Sequence, residues 1–384
     1  MYNWPIRSGS ANLPLHTGRA PKWLFRRMVR LGGLIAEFII DEYGTAEFLR
    51  RLGNPFFFQA LGCALGFDWH SSGLTTTTCG ALKEYMEHND MGVYAAGGKG
   101  ATARNAPAEI HSRNIRHADE LVHASRIIAK VDSAVVQDGY QLYHHCMFFD
   151  CAGRYAVVQQ GLNDANGYAR RYHWTSESVA AHGFTDGPHT GIAGAFERDV
   201  LDLSAPENRD VRKASLDIVK DNPRHIYRYF KGQASICEYL EEDTLTLKRD
   251  HYIRGIDLSE SDRRVLEMAY ELQPRSYEEL IMLEGMGPKK IRALALVADL
   301  VYGTKITWRD PVKYSFAHGG KDGIPFPVQR ADYDNTIRVL EDALSAGGAG
   351  SEMRRALKTL REKVVLAVPK PLQRYALLHT ARSK

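Results

Sequence analysis

No stretch of this 384-residue chain is apolar enough to cross a bilayer. Spanning takes roughly 20 uninterrupted apolar residues, and the longest candidate, residues 31–40, contains Glu37 and is flanked by Arg30 and Asp41. A secretory signal is also missing, since the first residues have neither an apolar core nor a small-residue cleavage site. The expectation is a cytoplasmic protein with no membrane partner. Cysteine is scarce: Cys63, Cys79, Cys146, Cys151 and Cys237 include no pair at the spacing of a thiolate zinc knuckle. They read as reduced, isolated thiols that behave as small hydrophobes. Internal repeats are absent.

Acidic residues are missing from the first 35 positions, which hold Arg7, Arg19, Lys22, Arg26, Arg27 and Arg30. The net charge of +4 is small, but its distribution is uneven. Six basic residues lie between 286 and 313 against Asp299 and Asp310, and nine lie beyond 350 against Glu352 and Glu362. Acids gather in the middle, as at Glu238, Glu241, Glu242 and Asp243. Basic faces around a more acidic body suit a nucleic-acid partner, although lysines and arginines also simply solvate helices.

At 44% hydrophobic and 25% charged residues the composition is globular. Periodicity predicts an α+β protein, mainly helical, with a small central antiparallel β-sheet and a C-terminal helix-hairpin-helix. Four segments follow from it. Residues 1–130 are helical: Leu24, Met28, Leu31, Ile35 and Phe38 mark one amphipathic helix ending at Gly44, and a short strand at 93–100 breaks into glycines. Residues 131–207 are an antiparallel β region with loops, having strands at 134–137, 140–149 and 154–160, a turn at 150–153 and a further strand at 170–175. Residues 183–194 read as loop. Residues 208–346 are helical and contain the hairpin at 276–303, and 351–384 form a basic C-terminal helix and tail.

The hairpin carries the strongest signal. Helices are expected at 259–272, 276–283 and 288–302, the last two joined by Leu283-Glu-Gly-Met-Gly-Pro-Lys-Lys290. Ser276 caps its helix and Glu279 completes a capping box. Gly285 and Gly287 permit a tight positive-φ turn and a close backbone approach, and Pro288 suits the first position of the next helix. That helix N-terminus then favours a phosphate, with Lys289, Lys290 and Arg292 around it. Leu-x-Gly-x-Gly-x-Lys between two amphipathic helices resembles the helix-hairpin-helix of DNA glycosylases, nucleases and polymerases. The resemblance implies a DNA partner held by backbone contacts without strong sequence preference. A plain αα-hairpin also uses two glycines.

The wider chain resembles a family known as domain of unknown function 763. The segments that carry the likeness are His16-Thr-Gly-Arg-Ala-Pro21, Gly66-Phe-Asp-Trp-His-Ser-Ser-Gly73, Ala95-Ala-Gly-Gly-Lys-Gly100, Val131-Asp-Ser-Ala-Val-Val-Gln-Asp-Gly-Tyr140 and Ser315-Phe-Ala-His-Gly-Gly-Lys-Asp-Gly323. It supplies no mechanism.

Three constellations offer chemistry. By likeness to bifunctional glycosylases, Lys289 aligns with the attacking lysine of a DNA glycosylase/AP lyase, and Asp310 is the nearest downstream acid outside a helix. Such chemistry needs an amine activated by neighbouring cations and no cofactor. Non-catalytic hairpins keep the same lysine for phosphate, and the Val-Asp-Thr-His-Val pattern of the family is missing here. Asp132, Asp138 and Asp150 on the predicted sheet offer a second route, a nuclease using Mg2+ or Mn2+, while Asp150 equally fits a turn former. Asp68 and His70 form an acid–base pair if their segment is extended, or else belong to a capped helix start. Gly97, Gly98, Lys99 and Gly100, and likewise Gly319, Gly320 and Lys321, can form amide nests for phosphates. Neither loop has P-loop spacing, and both also read as ordinary turns. The expected function is DNA binding in repair or processing, with base removal or strand cleavage as the activity. The alternatives are a non-catalytic DNA-binding adaptor and a hydrolase of an unrelated small substrate that uses the hairpin as scaffold.

Overall fold

A computed structural model describes residues 13, 15, 20–67, 72–197, 200–222 and 258–312, all within one compact unit, Met1–Ala317. Asp68, His70, Gly319, Gly320, Lys321 and the basic segment 351–384 lie outside the described residues.

The chain opens with three helices, α1 (Lys22–Leu52), α2 (Pro55–Ala64) and α3 (Gly73–His88). Gly44 interrupts α1 at φ 84°, a conformation costly for any residue with a Cβ. The break expected there is therefore present, though the helix resumes at once. Asn54 caps α2 by accepting the Phe56 and Phe57 amides.

Strand β1 (Val93–Lys99) then enters the sheet, and the short helices α4 (Ala101–Arg104) and α5 (Ala106–His111) lead to α6 (Ala118–Lys130). A single π-helical turn, Val131–Val135, extends α6 where a strand is expected from the β-branched residues. Val131, Ala134 and Val135 are buried in it, so tertiary packing overrides local β preference. Only Val136–Gln137 is extended, as β2.

Strands β3 (Gln141–Asp150), β4 (Tyr155–Asn163) and β5 (Tyr168–Thr175) form the meander, and after α7 (Ser176–His182) strand β6 (Gly191–Ala193) closes the edge. The sheet order is β1-β3-β4-β5-β6, antiparallel throughout. The region expected as loop, 183–194, therefore supplies the strand β6. Strand β7 (Leu201–Asp202) pairs with β2 as a separate two-stranded ladder. Helices α8 (Arg209–Lys220), α9 (Glu260–Leu272), α10 (Tyr277–Met282) and α11 (Pro288–Tyr302) complete the described chain.

Alternation along the strands sends neighbouring side chains to opposite faces. Ala95, Cys146, Phe148, Ala156 and Val158 pack against α1–α3. Ala96, Met147, Phe149, Val157, Tyr172 and Trp174 pack on the other face with α6 and α8–α11. The result is an α+β architecture with a helical layer on each face of one small sheet. Each fully buried Phe or Leu side chain contributes about 1.5–3 kcal/mol to this packing. Both cores draw on segments either side of residue 131, because β1 is laid beside β3.

Candidate nucleic-acid interface

Local sequence sets each end of the helices around the hairpin. Ser259 caps α9 and Asp262 returns the bond, since Ser259 Oγ accepts from the Asp262 amide and Asp262 Oδ2 accepts from the Ser259 amide at 3.1 Å. Ser276 caps α10 by accepting from the Glu279 amide at 3.1 Å. Glu279 does not close the expected box, because its carboxylate accepts instead from the Arg275 amide at 2.7 Å.

Between α10 and α11 the chain reverses over residues 283–287. Leu283 O accepts from the Met286 amide at 3.1 Å, and Met286 is wholly buried, anchoring the turn. The two glycines do different work. Gly285 lies at φ 76°, and a Cβ there would stand 2.8 Å from Val265 Cγ2 of α9. Gly287 is extended at φ −105°, so the expected positive φ applies to Gly285 alone. A Cβ on Gly287 would meet nothing nearer than Gly285 O at 4.0 Å. The space above it is open.

Pro288 occupies the first turn of α11, no side chain caps that end, and the turn contains no acid. The amides at its positive end thus have no side-chain acceptor from α11 itself, the situation that favours phosphate. Leu280, Leu294 and Val297 are buried and hold the pair together, while Val301 is exposed.

The three cations behave unequally. Lys289 keeps 53% of its side chain exposed while its Nζ lies 3.1 Å from Asp262 Oδ2. Lys290 turns inward, donating to Asp262 Oδ1 at 2.5 Å. Arg292 donates from Nε to Gln137 Oε1 at 2.6 Å, and Gln137 Nε2 donates to Pro288 O at 2.9 Å, clamping the start of α11. Hydrogen bonds from Lys290, Ser259 and Lys289 hold the Asp262 carboxyl well below the usual carboxylate range against the opposing effect of burial. Burial, reinforced by the Lys290 charge, pushes the Lys130 ammonium down.

The other expected residues are dispersed. Asp310 is buried on the sheet side, accepting from Arg170 Nη2 at 2.7 Å and from the Glu197 and Val312 amides. It makes none of its bonds to Lys289, so the expected lysine–aspartate partnership is not formed. The carboxylates also stay apart. Asp132, in the π-helical turn and not at a strand end, accepts from Trp174 Nε1 at 2.9 Å, from Gln159 Nε2 and, at 2.5 Å, from His189 Nε2. Asp138 accepts from Arg170 Nη1 at 3.0 Å and from the Tyr172 hydroxyl at 2.6 Å. Asp150 accepts from Arg154 Nε at 2.8 Å and from the Thr45 hydroxyl at 3.0 Å. Among the described residues no three His, Cys, Asp or Glu side chains are grouped to hold a metal ion. These three aspartates do not fit a shared Mg2+ or Mn2+, being committed to separate donors.

Gly97, Gly98 and Lys99 line a cleft of about 350 Å3 with Thr76, Lys83 and Thr102. Gly97, Gly98 and Gly100 all have positive φ. Two amides of this nest are already used, Gly97 N–H on Glu109 Oε2 at 2.9 Å and Gly100 N–H on Tyr143 O at 2.7 Å. Lys99 lies 5.7 Å from the centre of the Tyr143 ring. The loop turns the chain from β1 into α4.

Sequence reasoning missed Asp262, whose capping role was legible but whose hold on the lysines was not. It also missed the buried relay behind the sheet. Since Gln159 Nε2 donates to Asp132, its Oε1 accepts from His145 Nδ1 (2.9 Å), and His145 Nε2 accepts from Ser125 Oγ (2.8 Å). Every member is buried, so this chain of bonds orients the core.

Fold and site together define an α+β protein whose open, cationic helix terminus sits on a three-helix C-terminal layer. The chain belongs to the family described as "Protein of unknown function (DUF763)", whose family model matches residues 9–328. Neither a curated protein nor a solved structure matches the chain.

Proposed function

We propose that this protein binds DNA through its phosphate backbone, using the α10–α11 hairpin, in a repair or processing role. One observation carries the reading: the N-terminus of α11 has no side-chain cap and no acid, and opens over Gly287 with Lys289 half-exposed beside it. Amide dipoles and an adjacent ammonium suit a phosphate oxygen, and they read no base edges. Binding is therefore sequence-tolerant. The test is fluorescence anisotropy with labelled duplexes of unrelated sequence across a salt series. Log affinity is expected to fall linearly with log salt, by about 0.9 for each phosphate neutralised. Salt-independent binding, or none in either the wild-type chain or a variant with Asp262 neutralised, refutes the reading.

A second reading keeps Lys289 as the attacking amine of an AP lyase, favoured by its exposure at the hairpin. Its expected acid, Asp310, is held by Arg170 instead. Binding alone is accordingly the primary proposal.

A further inference from the structure

Asp262 is the only carboxylate bonded to the first turn of α11 among the described residues, and both of its oxygens are engaged there. Oδ1 takes Lys290; Oδ2 takes Lys289 together with the Ser259 hydroxyl at 2.7 Å and the Ser259 amide at 3.1 Å. One internal anion thus serves two consecutive lysines of α11 and the start of α9. A carboxylate oxygen and a non-bridging phosphate oxygen make equivalent charge-assisted bonds to an ammonium. The two lysines are held unequally, Lys290 short and buried, Lys289 longer and half-exposed. Cations also outnumber the anion, with Lys130 close enough to Lys290 to feel its charge and Arg292 one turn behind Lys289.

Resting on the DNA-binding reading, we infer that Asp262 is a built-in competitor for phosphate that restrains affinity. It holds Lys289 in the free protein and yields it to a DNA phosphate, while Lys290 stays anchored. Binding then exchanges one ion pair for another and leaves α9 in place.

The experiment compares DNA binding and salt slope for the wild-type chain, Asp262→Asn and Gly287→Val. The Asn side chain keeps the shape and removes the charge. Asp262→Asn is expected to bind roughly fivefold tighter at ~0.1 M salt, about what one screened charge at close range supplies. Its salt slope is expected to stay at the wild-type value, since Lys289 reaches the phosphate in both complexes. If wild type binds and Gly287→Val does not, yet Asp262→Asn binds no tighter than wild type, the inference fails and the DNA-binding reading stands. If no form binds, both fail. If only Asp262→Asn binds, both are supported.

A measurement on the intact wild-type chain covers the case of an unstable variant. With 13C-carboxyl-labelled aspartate, DNA is expected to move the Asp262 signal as Lys289 leaves. A signal unmoved at saturating DNA overturns the inference.

Discussion

Arg170 and Asp310 stand 140 positions apart in the chain, yet their side chains meet at 2.7 Å with neither exposed to solvent. The pair ties the segment after α11 to the middle of the sheet, where Asp138 supplies the second carboxylate at 3.0 Å. Removing one member of such a set leaves a buried charge short of a partner, at a cost of about 3–5 kcal/mol. Asp310→Asn is therefore expected to lower the denaturant midpoint sharply while the folded fraction binds DNA normally. Normal stability with lost DNA processing would instead return Asp310 to the active site.

The two hairpin glycines separate folding from binding. A side chain at Gly285 meets Val265 and must take a positive φ, so Gly285→Val destabilises the α9–α11 layer. Gly287→Val meets open space and costs at most about 1 kcal/mol as a poorer helix cap. Its melting curve should stay close to wild type while DNA affinity falls at least tenfold. Equal DNA affinity in a folded Gly287→Val chain counts against backbone approach at this helix end.

Lys289 and Lys290 should part company in the same way. Lys289→Gln is expected to lower the salt slope by about 0.9 with little change in stability, since its amine is half-exposed. Lys290→Ala strips Asp262 of its nearest cation inside the fold and is expected to appear first in the melting curve.

Covalent trapping distinguishes contact from chemistry. Abasic DNA incubated with the protein in EDTA and borohydride is expected to give no adduct, because Asp310, the acid expected to serve Lys289, is committed to Arg170. An adduct abolished by Lys289→Gln would establish the lyase reading.

Acid should weaken the fold early. Burial, helped by the neighbouring His145 and Lys99, pushes His144 down to about 3, and burial likewise lowers His145 and His173. Because these folded-state values lie below the unfolded one of about 6.5, the unfolded chain takes up protons first. Stability is full above that value and falls as pH drops below it, by up to about 1.4 kcal/mol per pH unit for each histidine. Neither ring nitrogen of His144 has a hydrogen-bond partner among the described residues. His144→Leu should consequently keep the fold at neutral pH and flatten the acid slope between pH 6.5 and 5 in urea titrations. An unchanged slope would mean His144 is charged in the folded protein.

What could be read from the sequence was local. The break at Gly44, the caps at Ser259 and Ser276 and the meander of β3 and β4 depend on residues within a few positions of one another, and each was legible. Strand β6 was not, because three residues with glycine at their head become a strand only against β5. Neither was the π-helical turn holding Asp132, where burial outweighs two β-branched valines. The hairpin was visible as a motif, but the inward turn of Lys290 depends on Asp262, 28 positions away. Spacing alone could not separate the exposed lysine from the buried one.

The long reach between Arg170 and Asp310 also bears on how the chain is made. During synthesis at about 5–20 residues per second, roughly 7–28 seconds pass between the two residues leaving the ribosome. Through that interval Asp138 is the only acid of the trio available to the arginine. The meander can assemble early, but its central guanidinium waits for a carboxylate made after the hairpin. Nascent chains halted before Asp310 carry every described strand of the sheet and still lack the clasp that locks it.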